Sequence, residues 1–154
     1  MKSNDAMKLI LIVPMGVELK IFPWSVHALS DYLKPCGLPL DVTIWDLRHD
    51  EQLSEIRQAF GPVQDEVFGV LTKKYRDVFD VNRTSLPFGV LASMGSSFLD
   101  AAAKHEQGRS RSALALAKRR YGARLDQLKQ DVEARILRGI AQHTEGWRSG
   151  AGVG

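Results

Sequence analysis

Residues 8–46 constrain the fold more than any other part of the chain, because they read as strand, helix and strand in immediate succession. Met7-Lys8-Leu9-Ile10-Leu11-Ile12-Val13 is a nearly continuous apolar run. It lacks the alternation of a half-solvated strand and fits one buried on both faces of a parallel sheet. Pro14-Met15-Gly16 stops it, and after Phe22-Pro23 a helix is predicted to about Lys34. Proline is tolerated in the opening turn of a helix, and Ser25 stands close by as a candidate cap. Val26, Leu29, Tyr32 and Leu33 form a stripe that can pack on the sheet. Cys36-Gly37-Leu38-Pro39 ends that helix, and Leu40-Asp41-Val42-Thr43-Ile44-Trp45-Asp46 alternates as a second strand. In open parallel sheets ligands bind beyond the carboxyl ends of the strands. A site would therefore lie at 14–22 and 46–50. By loop position the candidate ligand-contacting residues are Pro14, Met15, Gly16, Trp24 and Asp46.

The rest of the chain reads as helical. Leu53, Ile56 and Phe60 give a helix over 51–60, which Gly61-Pro62 is expected to end. Over 63–81, Val67, Val70, Leu71, Tyr75, Val78 and Phe79 recur at spacings of three and four and predict another helix. A third strand at 67–71 would suit a repeating α/β fold better, but Gly69 and the Asp65-Glu66 start oppose it. Asn82 to Pro87 reads as a turn, 88–95 is ambiguous between a strand and a glycine-bearing helix start, and 96–105 reads as helix. Gln107 to Ser112 reads as a polar linker. The longest predicted helix follows, over 112–143. Leu114, Tyr121 and Leu128 are seven apart, as are Leu125 and Val132, before the stripe shifts to Ile136 and Ile140 near Gly139. Glycine inside a helix costs roughly 1 kcal/mol against alanine, so Gly139 is expected to disturb the pattern.

This organisation divides the chain into an α/β ligand-binding-like part at 1–106, a basic amphipathic helix at 107–146 and a flexible tail at 147–154. Met1 to Ala6 reads as a loose leader. The fold class is α/β: a small parallel-sheet, flavodoxin- or Rossmann-like N-terminal unit followed by a helical C-terminal half. Two clear strands are few, since a two-stranded sheet alone is marginal in water. Either further strands hide in 63–94 or the fold needs a partner.

Composition narrows the chemistry. At 154 residues the chain suffices for one domain with a real core. Its single cysteine, Cys36, excludes an internal disulfide, an iron–sulfur cluster and a cysteine-rich zinc site. That usage, with no signal peptide evident and an apolar run far short of the roughly 20 residues a membrane span needs, places the expected location in the cytoplasm, with no membrane partner. The net charge of +3 is uneven, because 104–138 holds ten Lys/Arg against four Asp/Glu. Arg109, Arg111, Lys118, Arg119, Arg120 and Arg124 could contact phosphates. No helix-turn-helix or other reading module accompanies them, so a nucleic-acid partner is not expected and a solvated helix face explains them better.

No constellation of catalytic residues emerges. The first strand turns into its helix with only Gly16 and no GxGxxG, which disfavours a dinucleotide. Asp46 ends the second strand where an acidic residue would meet a ribose hydroxyl, although a turn or cap is its commoner role. His27, His49, His105 and His143 are scattered without metal-ligand spacing, and no serine or cysteine has an arguable base. His49 lies in the polar cluster 46–50. Phe22, Trp24 and Trp45 gather around the sheet edge, where a flat apolar cofactor would stack if they were not simply core.

Lys8-Leu9-Ile10-Leu11-Ile12-Val13-Pro14, then Phe22-Pro23 opening a helix with Leu29, Tyr32 and Leu33, then Gly37 and a strand ending in Asp46, resembles the N-terminal domain of cobalamin-dependent radical SAM enzymes. The resemblance covers 7–46. It implies a flavodoxin-like sheet whose strand ends cradle cobalamin. The Asp-x-His-x-x-Gly signature of methylcobalamin-dependent enzymes is absent after the first strand, and so is the Cys-x-x-x-Cys-x-x-Cys motif of the radical SAM cluster. The resemblance thus implies a free-standing or truncated N-terminal domain, not catalytic alone, that binds cobalamin or docks with a radical SAM enzyme. The alternative is a non-enzymatic interaction module. Its helix over 114–140, through Leu114, Tyr121, Leu125, Leu128 and Val132, would pair with a partner protein or form a homo-oligomer.

Overall fold

The computed structural model describes residues 7–15, 24–33, 37, 39–80 and 86–145. The chain is α/β, with a two-stranded parallel sheet at its N-terminal end and a helical half after it. Strands β1 (Met7–Val13) and β2 (Leu40–Asp46) pair in register from Met7 opposite Leu40 to Val13 opposite Asp46. Helix α1 (Trp24–Leu33) joins them in a single βαβ unit. Paired residues in a parallel ladder share a face. Ile12 and Trp45 therefore face together toward the main core, with Ile10 beside them.

Helix α1 turns differently from its expected stripe. Among its described side chains Ser30 is buried, with Val26 and Leu33 half-buried, while Leu29 and Tyr32 are exposed. The strands, too, are less covered than an all-apolar run implies. Leu9 to Ile12 are only half-buried, and Val13 alone in β1 is fully so. Among the described residues no third strand joins either edge.

A short 3-10 turn at Leu47–His49 leads into α2 (Glu51–Gly69). The expected stop at Gly61-Pro62 does not occur, and α2 runs through both residues. Pro62 removes one backbone donor and disfavours the preceding helical turn. Continuing the helix keeps Leu53, Phe60, Val63, Val67 and Phe68 all in the core, and that burial outweighs the local penalty. The alternative third strand at 67–71 is accordingly absent, because Val67 and Phe68 belong to α2. The expected 63–81 helix is instead the end of α2 and a separate α3 (Lys73–Phe79). Helix α3 ends where Asp80 adopts a left-handed conformation (φ 43°).

The ambiguous 88–95 stretch is helical, within α4 (Leu86–Met94). Gly95 (φ +58°) turns the chain into α5 (Ser97–Ala103). The expected linker at 107–112 is already helix: α6 spans Gly108–His143, 36 residues, or about 54 Å at 1.5 Å per residue. Gly108 holds φ +58° at its first turn. The glycine that resembled a linker signal in fact permits the entry. Residues 1–6 and 147–154, where a leader and a tail were expected, lie outside the described residues, as do 82–85 of the turn expected at 82–87, while Leu86 and Pro87 already belong to α4.

One continuous core joins these helices. Phe68, Phe79 and Phe98 meet with ring centroids 5.1–5.8 Å apart, and Leu91, Leu99, Ala102, Leu114 and Leu125 close around them. At its border Glu106 is buried, one carboxylate oxygen accepting from the Thr72 backbone N–H (2.9 Å) and hydroxyl (3.1 Å), which ties the start of α3 to the approach to α6. No single helix among the described residues is long and apolar enough to cross a membrane. The bent pair α4–α5 passes that test only jointly, and Phe88, Leu91, Phe98 and Leu99 on it are core residues.

The α6 stripe of Leu114, Tyr121, Leu125, Leu128 and Val132 is likewise inside this core. Leu125→Asp is therefore expected to unfold the chain instead of altering its association, because a buried unpaired carboxylate costs several kcal/mol on top of about 2–3 kcal/mol of lost leucine burial. Loss of the cooperative thermal transition in far-UV circular dichroism checks it; a folded Leu125→Asp protein of altered mass would contradict it.

Candidate functional site

The carboxyl end of β2 is a densely hydrogen-bonded polar region. It is built by the run Trp45-Asp46-Leu47-Arg48-His49-Asp50, whose tight turn points successive side chains in different directions, and by the last turns of α6. Asp46 caps the 3-10 turn. Its carboxylate accepts from the Arg48 backbone N–H (3.0 Å), Nε (2.9 Å) and Nη2 (2.7 Å), so both oxygens are engaged. The Arg48 side chain is only 2% exposed. His49 Nε2 stands 3.8 Å from the same carboxylate, with its ring largely in solvent.

Asp50 serves two elements at once. It caps α2 by accepting from the Leu53 N–H (3.0 Å), and it holds Arg135 of α6 through Nε (3.1 Å) and Nη2 (2.7 Å). The Arg135 guanidinium also lies 5.5 Å from the centroid of Trp45, and the His143 ring packs 5.2 Å from the same indole. Trp45 is buried against Gly139, where a Cβ would overlap atoms of its six-membered ring. Gly139 is therefore the position at which α6 admits the strand's tryptophan, and a missing side chain is what the packing requires. Two turns of α6 thus grip one end of β2 through a π contact, an ion pair and a ring-sized gap.

The carboxylates are electrostatically settled. The hydrogen bond from Arg135 is the main reason that Asp50 has a pKa below the ordinary carboxylate range, against an opposing desolvation effect. For Asp46, burial pushes upward, and the hydrogen bonds and charge of Arg48, with the charge of His49, outweigh it.

A surface groove of about 410 Å³ opens beside them, lined by Trp45, Asp46, His49, Asp50, Glu51, Gln52 and Arg135. The exposed groups facing it are His49, Glu51 and Gln52. Among the described residues no group of three His, Cys, Asp or Glu is placed to hold a metal. The arrangement is that of a structural joint with a shallow polar mouth.

Of the candidate ligand residues, Pro14 and Met15 directly follow Val13, the strand partner of Asp46, and Met15 shares a small hollow with Arg48. Asp46 is committed to Arg48. Pro14 is exposed, and half-buried Met15 packs toward the core beside a hollow of about 10 Å³ shared with Leu47, Arg48, Leu53, Ser54, Arg57 and Phe88. That is room for about a single water. Gly16 and the Trp24 side chain lie outside the described residues, as do Phe22 and Cys36. Trp45 is core, as its alternative reading held. On the basic helix, Lys118 is paired with Asp100 (2.6 Å) and Arg120 lies over the Tyr121 ring (5.3 Å), while Arg109, Arg111, Arg119 and Arg124 are exposed. Sequence reasoning missed Arg135 and Gly139, and the one trace of them was a glycine where the α6 stripe shifts. No family model, curated protein or solved structure matches the chain.

Gly139→Ala is expected to destabilise by about 1–3 kcal/mol, the usual overpacking cost, although alanine gains about 1 kcal/mol at an ordinary helical position. A urea unfolding midpoint at or above wild type would contradict the packing. The lowered pKa values of Asp46 and Asp50 give a pH dependence of fixed sign. Their stabilisation is present above the unfolded carboxylate value near about 4 and is lost as pH falls through the lower folded values. Asp50→Asn is expected to lower stability at neutral pH and to flatten part of that acid limb, read as the urea midpoint against pH; an unchanged limb would contradict it.

Proposed function

We propose that this chain is a non-catalytic docking module whose incomplete parallel sheet is completed by a partner, and that the partner is a cobalamin-dependent radical SAM enzyme acting in the cytoplasm. The observation that carries the docking reading is the sheet: two parallel strands, no third among the described residues, and an apolar β1 only half-covered. Parallel sheets are ordinarily covered on both faces, and two strands alone are marginal. The identity of the partner rests on the resemblance of residues 7–46, and the cytoplasmic reading on the single cysteine. Cobalamin rests on the same resemblance, and the Asp46 carboxylate is engaged by Arg48. No reaction is derived through it.

Backbone hydrogen exchange tests this. In the isolated chain the amides of β1 and β2 should exchange much faster than those of α6. Adding the catalytic core of a cobalamin-dependent radical SAM enzyme that lacks its own N-terminal domain should slow β1 and β2 at least tenfold and leave α6 unchanged. Strands as protected as α6 in isolation, or no slowing in the mixture, would sink the proposal. Hydroxocobalamin alone should leave the melting temperature unchanged; a raised one would assign the strand ends to the cofactor instead.

A further inference from the structure

The two halves of α6 differ in charge. Residues 108–125 hold six Lys/Arg and no Asp/Glu, whereas 126–143 hold three of each. A solvated helix face ordinarily interleaves both signs, and a block of one sign points to a partner of the other. Neighbouring elements do not supply the missing acid. Asp100 engages Lys118 (2.6 Å), Glu106 is buried on Thr72, and Asp126 is held by the Ser96 N–H (2.9 Å) and hydroxyl (3.0 Å). Arg109, Arg111, Arg119, Arg120 and Arg124 are all exposed, and none has an ion-pair partner among the described residues.

Their placement is ordered. At 3.6 residues per turn, Arg109, Arg120 and Arg124 border the buried stripe on one side, and Arg111 and Lys118 border it on the other. The outward line between the two rows is Ser112, Ala115, Leu116, Arg119 and Ala123, mostly small residues. The rows extend over 109–124, about 23 Å of helix.

We infer that this half of α6 binds the phosphate backbone of double-stranded DNA, with its outward line toward the major groove. The major groove of B-form DNA, about 12 Å wide, admits an α-helix. Small outward residues let the helix approach the groove floor, while the row of cations on each side faces one phosphate strand. Arginine supplies five of the six cations, and its planar fork matches phosphate oxygens. The outward line offers base edges few hydrogen-bonding groups, so the contact rests on phosphates and reads little sequence. Such a contact requires no reading module.

Other polyanions fit this face less well. The apolar stripe of α6 is spent in the core, which leaves Leu116 as the one large apolar side chain exposed over 108–125 for a membrane. Single strands are held by aromatic stacking, and Tyr121, the one aromatic residue in that stretch, is buried. The major groove of duplex RNA is too deep and narrow to be read in this way.

The test is fluorescence anisotropy of a short mixed-sequence DNA duplex titrated with the whole chain over a salt series, with no partner enzyme present. Four row arginines on phosphates give a slope of about −3.6 in log affinity against log salt, a loss of about 150-fold from 50 to 200 mM. Arg109→Gln, Arg111→Gln and Arg124→Gln together should flatten that slope by about three. The circular dichroism spectrum should stay unchanged, because all three side chains are exposed. Lys73→Gln, Lys74→Gln and Arg76→Gln on α3 remove the same charge and should leave the slope as it is. No binding at 50 mM salt, a slope unchanged in the α6 variant, or an equal loss in the α3 control would overturn the inference. So would single-stranded DNA, duplex RNA, phosphatidylserine vesicles or polyglutamate binding as tightly as duplex DNA. None of these readouts involves the sheet or an enzyme, so this inference and the docking proposal fail separately.

Discussion

The fold depends on how Trp45 is held. With Ile10 and Ile12 beside it, it is the largest side chain by which the thinly covered βαβ unit enters the core of the helical half. Its indole lies against Gly139, beneath Arg135 and beside His143, all on one stretch of α6. Asp50, five residues on from Trp45, returns the contact by binding Arg135 and capping α2. Three elements, β2, α2 and α6, are thereby fixed at one place. The helical half has an ample core of its own in the Phe68–Phe79–Phe98 cluster. The sheet does not, and Trp45 is its largest buried side chain.

That arrangement explains why the strand ends do not look like a conventional ligand seat. In an open α/β sheet the polar groups beyond the strands remain available to a ligand. Here they are turned inward to join elements: Asp46 to Arg48, and Asp50 to Arg135 and the first turn of α2. The small hollow at Met15 is lined by Leu47, Leu53 and Phe88. Chemistry that elsewhere recognises a ligand here supports the attachment of a long helix.

Much of this was legible in the residues. The apolar run of β1 and the alternation of β2 match both strands with their observed limits, and the heptad spacing of Leu114, Tyr121 and Leu128 marks the long helix, although the stripe offered as a pairing surface is buried in the chain's own core. Local punctuation misled where tertiary burial overrode it. Gly61-Pro62 resembles a stop, yet Val63, Val67 and Phe68 keep α2 going. Gly108 resembles a linker residue and is the first residue of α6. The joint at Trp45 was hidden for another reason. Asp50 and Arg135 are 85 residues apart in the chain, and no periodicity links a strand-end aspartate to a helix arginine. Gly139 was visible only as a flaw in a pattern, because the demand for a missing Cβ comes from an indole 94 positions earlier.

If the joint is what makes the two halves one structure, the penalty at Gly139 must belong to Trp45 and not to the helix. A double-mutant cycle measures this directly, combining Gly139→Ala with Trp45→Ala and comparing the unfolding free energies of the four proteins. Removing the indole should make room for the added methyl. The account predicts that Gly139→Ala loses its cost in the Trp45→Ala background, with a coupling of at least about 1 kcal/mol. Simple additivity of the two costs would contradict it.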